Sequence, residues 1–165
     1  MRPALVRRLV LAAAAPRGAP GMHGWSADVI GAIGNPKTAP EQFLRIFFHD
    51  SAASQQAGRD FFQRISARTA DRDAPVTWET RMAQYDAVTR WGIPNFAMLE
   101  RVTGIGMPTF IANGDSDPMI LPRYSHLLAG LIPDAIIKIY PDAAHGFLFQ
   151  HHAAFAADVV NFLNT

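Results

Sequence analysis

The sequence has no cysteine, almost no net charge and no long apolar run, and each absence excludes a class of protein. Without cysteine the chain forms no disulfide and offers no thiol as a nucleophile. A formal net charge of +1 gives no electrostatic reason to expect nucleic acid or an anionic membrane as a partner. No stretch approaches the roughly 20 apolar residues of a membrane span. The 165 residues, 49% of them hydrophobic, suit one soluble domain that buries a core.

Residues 2–15 have two interpretations. A basic start at Arg7 and Arg8, a short apolar stretch and a run of alanines resemble a secretory signal of minimum length. The same residues predict a buried strand, Arg8 to Ala13, followed by a turn at 16–18. We favour the strand and therefore expect a cytoplasmic protein.

The stretch from Pro108 to Gly146 carries the clearest pattern. Thr109 to Asn113 and Ala135 to Tyr140 are short runs of β-forming residues that predict two strands. Between them, apolar residues at helical spacing predict a helix: Tyr124, Leu127, Leu128 and Leu131. Parallel strands joined by a helix place their C-terminal loops at one end of the sheet. We therefore expect Asp117, after the first strand, to meet His145, after the second.

A carboxylate beside an imidazole fixes the tautomer of the ring and stabilises its protonated form. The second ring nitrogen then acts as a general base, usually for a nucleophile. A surface turn and a helix-capping histidine would give the same spacing, so the residues alone leave both interpretations open.

The segments NGDSDPMILP (113–122) and YPDAAHGF (140–147) resemble the last third of an α/β-hydrolase fold enzyme. The resemblance implies that Asp117 is the acid and His145 the histidine of a catalytic triad, with Asp115 as the alternative acid. It implies no metal and no organic cofactor. The implied fold is α/β, an incomplete hydrolase sheet of about three parallel strands with an inserted helical cap.

The nucleophile of that family is the feature that the sequence lacks. The strained G-x-S-x-G turn, which holds the serine in this fold, occurs nowhere in the chain. Ser26 has one glycine at the correct offset, and the other serines considered are no better placed: Ser51, Ser54, Ser66, Ser116 and Ser125. An aspartate nucleophile would need the same turn. We therefore expect a C-terminal portion of a hydrolase, from a reading frame that is truncated or begins upstream of its assigned start.

Three regions follow from this interpretation: a first core strand and turn at 1–18, a helical cap at 19–104, and a C-terminal core at 105–165. Within the cap, helices are predicted to open at Pro40, to run from Ala52 to Arg68, and to extend from Thr77 to a stop at Gly92. A last helix covers the sheet. Candidate substrate-binding residues are aromatic, although such residues also form helix cores: Phe47, Phe48, Trp91 and Phe147.

The expected function is hydrolysis of an ester-like or similar small apolar substrate by a nucleophile-His-Asp triad, with the chain inactive alone. The alternative is a non-catalytic remnant or binding module that uses the aromatic cap. Partners expected besides the substrate are the missing N-terminal half or a second copy joined through the exposed sheet edge.

Metal-dependent chemistry is a weaker hypothesis. It would use His145, His151 and His152 with Asp115 and Asp117, but this spacing matches no established ligand pattern. The sequence does not identify which type of bond is cleaved, because the nucleophile that separates esterases from related hydrolases is not present.

Overall fold

Three parallel strands form the centre of the molecule. The computed structural model describes residues 5–19, 24–35 and 39–165. Within those ranges the sheet has the order β1-β2-β3, with β1 at Leu9–Ala12, β2 at Thr109–Gly114 and β3 at Ala135–Tyr140. Leu9 pairs with Thr109, which pairs with Ala135. The predicted fold class is confirmed.

The middle strand, β2, is buried along its whole length because it has a neighbour on each side and helices on both faces. The outer strands differ from it and from each other. All four residues of β1 are partly exposed, whereas β3 alternates, with Ile136 54% exposed and Tyr140 buried. The strand predicted from Arg8 to Ala13 is therefore present, shorter by one residue at each end.

A helical insertion connects β1 to β2. It contains α1 (Ala27–Ile33), α2 (Pro40–Phe47), α3 (Ala52–Ala67), α4 (Trp78–Trp91), α5 (Phe96–Glu100) and a 3-10 turn (Arg101–Gly104). The three helices predicted here are confirmed, whereas α1 and α5 were not predicted. Side chains of Ser26, Ser51 and Thr77 accept hydrogen bonds from the first turns of α1, α3 and α4.

The part after β2 provides the helices that cover the sheet. It contains α6 (Pro122–Leu131) before β3, and α7 (Phe147–Gln150) and α8 (His152–Asn164) after it. Leu128 of α6 packs with Ile111 on one face, and Phe162 of α8 packs with Phe110 on the other. This two-faced burial is what a parallel sheet needs. None of the helices in the described ranges has the length and apolar character needed to cross a bilayer.

One glycine sets the distance between two helices of the insertion. A Cβ placed on Gly58 of α3 would lie 2.4 Å from a methyl carbon of Leu44 and 2.8 Å from the ring of Phe48. Phe48 is 1% exposed, so it has little room to move aside. The close packing of α3 on the end of α2 therefore depends on the missing side chain.

We expect Gly58→Ala to lower the free energy of unfolding by about 1–3 kcal/mol, because the added methyl overpacks this contact. Gly130→Ala is the matched control, since its Cβ would meet nothing within 4 Å in α6. The control should be neutral or stabilising by up to about 1 kcal/mol, from helix propensity. Urea unfolding of both variants measures the difference, and equal stability would contradict the packing argument.

Candidate active site

Asp117 is a buried carboxylate held by the turn that follows β2. The residue is 1% exposed. Its Oδ1 accepts hydrogen bonds from the backbone N–H of Met119 at 2.8 Å and of Ile120 at 2.9 Å. An aspartate that binds the backbone two and three residues ahead stabilises this kind of turn. Oδ2 remains available, and it lies 2.9 Å from Nδ1 of His145.

His145 comes from the loop after β3, and the helical insertion holds that loop from the other side. The backbone N–H of His145 donates to the carbonyl of Ile46 at 3.4 Å, and that of Gly146 donates to Phe47 at 2.8 Å. Both carbonyls belong to the last turn of α2, where no helical partner is available. The ring of Phe47 meets the imidazole edge-on, with centroids 5.2 Å apart. The histidine is thus fixed between the sheet edge and the end of α2.

The geometry defines which ring nitrogen is free to react. The Asp117 carboxylate accepts a hydrogen bond, so Nδ1 is assigned the proton. Nε2 then carries the lone pair, and no residue in the described ranges makes a hydrogen bond to it. The His145 side chain is 22% exposed, so the ring is neither sealed in the core nor freely solvated. A pair in this arrangement can accept a proton at Nε2 and return it.

Asp115, the alternative acid, lies in another position. Its carboxylate accepts hydrogen bonds from the backbone N–H of Asp142 at 2.9 Å and of Ala143 at 3.1 Å, and from the hydroxyl of Ser116. Desolvation raises the pKa of Asp115, but the bonds from Ala143, Asp142 and Ser116 outweigh it and lower that pKa overall. Asp115 therefore ties the acid loop to the histidine loop and makes no bond to the imidazole.

Asp142 anchors the same loop to the helical insertion. One carboxylate oxygen lies 2.8 Å from Nδ1 of His49, and the other accepts a bond from Ser51 Oγ at 2.6 Å. Both bonds lower the pKa of Asp142, and the bond from Ser51 has the larger effect. Its φ of 52° is in the left-handed region, which aspartate tolerates better than most residues. Gln150 donates to its carbonyl at 2.8 Å.

Sequence reasoning missed this anchor. The contacts that form it join residues 91 to 96 positions apart, including Ser54 Oγ to Gln150 Oε1 at 2.6 Å. No short motif encodes pairs at such separations. The sequence does carry a local signal for a neighbouring contact, the one between the acid loop and the histidine loop. It is Gly114 at the end of β2, since a Cβ there would lie 2.2 Å from the carbonyl oxygen of Ala143. Only glycine allows the two loops to approach this closely.

The serines considered as nucleophiles have other partners or positions. Ser26 caps α1, and Ser51, Ser54 and Ser116 are bonded as described above. Ser125 is buried in α6 and Ser66 is exposed on α3. No serine in the described ranges is hydrogen-bonded to His145.

Of the aromatic candidates, the structure brings only Phe47 into contact with the imidazole. Phe147 is fully buried and packs in one cluster with Phe110 and Tyr140. Trp91 is 46% exposed and lines a separate groove beside β1, where its indole donates to the Ala15 carbonyl. Phe48 is buried, and its edge borders a cavity of about 220 Å³ that Ser116, Pro118 and Ala144 also line.

The histidines considered for a metal point elsewhere. His151 Nε2 lies 3.0 Å from the Pro141 carbonyl and His152 Nδ1 lies 3.2 Å from the Phe149 carbonyl. In the part of the chain that the structure describes, no three histidine, aspartate or glutamate side chains converge as metal ligands.

We expect Gly114→Ala to separate the two loops, because its methyl would collide with the carbonyls of Ala143 and Ala144 at 2.2 and 2.4 Å. The free energy of unfolding should fall by about 2–3 kcal/mol, at the upper end of overpacking effects. Gly106→Ala is the control, with nothing within 4 Å of its Cβ. Thermal unfolding gives the stability, and the ring resonances of His145 report its surroundings. Unchanged stability and resonances in Gly114→Ala would contradict the close approach.

The loop anchors predict a pH dependence of stability. The pKa values of Asp115 and Asp142 are lowered in the folded chain from the ordinary 3.8. Groups of this kind stabilise the fold fully above the unfolded pKa, and their contribution is lost as the pH falls through the folded pKa. Between pH 6 and 3, the stability of Asp115→Asn/Asp142→Asn should therefore fall less than that of the wild type. Asp73→Asn, in the exposed loop before α4, is the control and should follow the wild type in urea unfolding at each pH.

Comparison with known proteins places the chain among α/β-hydrolase fold proteins. No protein-family model matches the sequence, and neither does any curated protein. Among solved structures, an α/β hydrolase fold protein from Chitinophaga pinensis is 34% identical, with a TM-score of 0.88. The match covers 100% of this chain and 58% of that one.

More distant structures share the fold. A meta-cleavage product hydrolase from Pseudomonas fluorescens is 21% identical, with a TM-score of 0.68 over 96% of this chain and 56% of its own. A thermophilic esterase from Thermogutta terrifontis is 15% identical, with a TM-score of 0.62 and the same coverages. The chain thus spans less than two thirds of the length of these structures. With three parallel strands and an aspartate and a histidine meeting at their C-terminal edge, it belongs to the α/β-hydrolase fold family.

Proposed function

We propose that Asp117 and His145 form the acid and base of a nucleophile-His-Asp triad that hydrolyses an ester-like bond in a small apolar substrate. The observation that supports this most directly is the 2.9 Å contact between Asp117 Oδ2 and His145 Nδ1, with Nε2 unbonded to any described residue. The nucleophile comes from a segment outside these 165 residues.

In this mechanism His145 transfers protons in two half-reactions. Nε2 removes the proton from the nucleophile as its oxygen attacks the substrate carbonyl, and then gives it to the leaving alcohol. Nε2 next removes a proton from a water that attacks the acylated nucleophile, and returns it to the nucleophile as the acid is released. Asp117 keeps the proton on Nδ1 and stabilises the imidazolium between the two transfers. The amides of Met119 and Ile120 hold the carboxylate in the orientation that this role needs.

The surroundings of His145 support an apolar substrate. Phe47, which contacts the imidazole, stacks on Phe43 with centroids 3.9 Å apart and planes 5° from parallel. An aromatic wall beside the base favours an apolar acyl group over a charged one. The steps proposed for Asp117 and His145 need no metal and no organic cofactor.

A binding module without catalysis is the second candidate. It is favoured by one observation, that no serine in the described ranges bonds to His145. In that case the stacked aromatic rings of α2 and α3 would hold an apolar ligand, and the Asp117 to His145 contact would be structural.

A chimera separates the two candidates. In it, this chain replaces the matched region of the Chitinophaga pinensis protein, and hydrolysis of p-nitrophenyl acetate and butyrate is measured. We expect activity that falls on the order of a million-fold in His145→Ala and about ten-thousand-fold in Asp117→Asn, as in other triads. His151→Ala, a control at the turn between α7 and α8, should retain activity. A folded chimera whose ester hydrolysis survives His145→Ala, or that has none, would overturn the catalytic proposal.

A further inference from the structure

We propose that Asp142 is a positioning residue for the general base, and that it acts by tying the histidine loop to the helical insertion. The inference rests on the proposed function and adds which residues outside the triad keep His145 in line with Asp117. Five residues, together called the loop clamp, make this connection: His49, Ser51 and Ser54 in the insertion, and Asp142 and Gln150 in the C-terminal core.

The loop clamp is a closed ring of hydrogen bonds. The Asp142 carboxylate lies 2.8 Å from Nδ1 of His49 and 2.6 Å from Ser51 Oγ. Ser54 Oγ accepts the backbone N–H of His49 at 2.8 Å and donates to Gln150 Oε1 at 2.6 Å. Gln150 Nε2 closes the ring by donating to the Asp142 carbonyl at 2.8 Å. Ser54 is fully buried. A polar network closed in this way holds its members in one geometry.

The ring holds the chain on both sides of the base. Asp142 precedes His145 in the loop, Gln150 follows it at the end of α7, and both bind residues 49–54. The direct backbone bond of His145, to the Ile46 carbonyl, is long at 3.4 Å. The position of the imidazole relative to Asp117 therefore depends also on what holds the flanking residues.

Asp142 is the point where the insertion and the acid loop meet. Its backbone N–H donates to Asp115 of the acid loop at 2.9 Å, whereas its carboxylate binds the insertion. The bonds from Ser51 and His49 lower the pKa of Asp142, so the carboxylate stays ionised and accepts both. Removing this carboxylate would release the insertion and leave the backbone bond to the acid loop in place.

Two substitutions of Asp142 separate the side chain from the backbone. Asp142→Gly removes both carboxylate bonds and adopts the left-handed φ of 52° without strain. Asp142→Asn also tolerates this φ, and it keeps one acceptor oxygen. The two variants therefore form a graded series in which only the side-chain bonds differ.

The other end of the clamp is tested at His49, because Ser51 also caps α3 and its loss would disturb that helix. His49→Ala removes one bond to Asp142, whereas His49→Asn restores an N–H donor near the position of Nδ1. The His49 side chain is 42% exposed, so both variants should fold. Asp28→Asn is the matched control, since it removes a carboxylate that pairs with Arg45 within the insertion.

The Nδ1–H proton of His145 reports the alignment of the base in the 165-residue chain. A proton held in the bond to Asp117 exchanges slowly with water, and NMR measures its exchange rate. We expect exchange to be about tenfold faster in Asp142→Gly and about threefold faster in His49→Ala, with Asp142→Asn between Asp142→Gly and the wild type. His49→Asn and Asp28→Asn should match the wild type. Circular dichroism establishes that each variant is folded.

Turnover in the chimera described above gives the second measurement. With p-nitrophenyl butyrate, kcat should fall about tenfold in Asp142→Gly while KM stays within about twofold, because the clamp aligns the base without touching the substrate. His49→Asn should restore the kcat lost in His49→Ala. A residue with a purely structural role would lower the amount of folded enzyme and leave kcat per folded molecule unchanged.

Three outcomes would overturn the inference. They are wild-type exchange or wild-type kcat in folded Asp142→Gly, equal losses in His49→Asn and His49→Ala, and a loss in Asp28→Asn as large as that in Asp142→Gly. The exchange measurement needs no turnover, so the two proposals can fail separately. An inactive chimera would count against the catalytic role of His145, whereas Nδ1–H exchange that still depends on Asp142 would retain the clamp.

Discussion

The arrangement of the site depends on the parallel pairing of β2 with β3. Because the two strands run in the same direction, the turns that follow them emerge at one edge, where Asp117 and His145 are 2.9 Å apart. Pairing alone would leave two independent loops. The absence of a side chain at Gly114 and the carboxylate of Asp115 join them into one unit, the first by allowing close approach and the second by bonding across the gap.

The helical insertion also binds the histidine loop, from the side opposite the sheet edge. The last carbonyls of α2 accept the N–H groups of His145 and Gly146, and His49 and Ser51 bind Asp142. These bonds satisfy groups that a helix end would otherwise leave to water. The histidine loop is therefore shared between two regions far apart in the sequence, and its conformation depends on both.

The sequence was sufficient for the parts of the molecule that have local signals. Strands β2 and β3 and helices α2, α3, α4 and α6 follow from apolar spacing and from capping residues such as Thr77. The meeting of Asp117 with His145 follows from the topology of two strands and a helix. The anchor at Asp142 could not be predicted, because its partners His49 and Ser51 lie 93 and 91 positions away in the chain. The role of Phe147 could not be settled from the sequence, because an aromatic residue next to a candidate histidine has the same local pattern in a core as in a pocket.

The bonds between α2 and the histidine loop have a mechanical consequence. The carbonyl of Phe47 accepts the N–H of Gly146 and the Phe47 ring contacts the imidazole, so a shift of α2 would act directly on the base. A displacement of α2 that widened the entrance for a ligand would pull His145 away from Asp117. Ligand entry and proton transfer would then take place in different conformations, because His145 would be aligned with Asp117 only after α2 had returned.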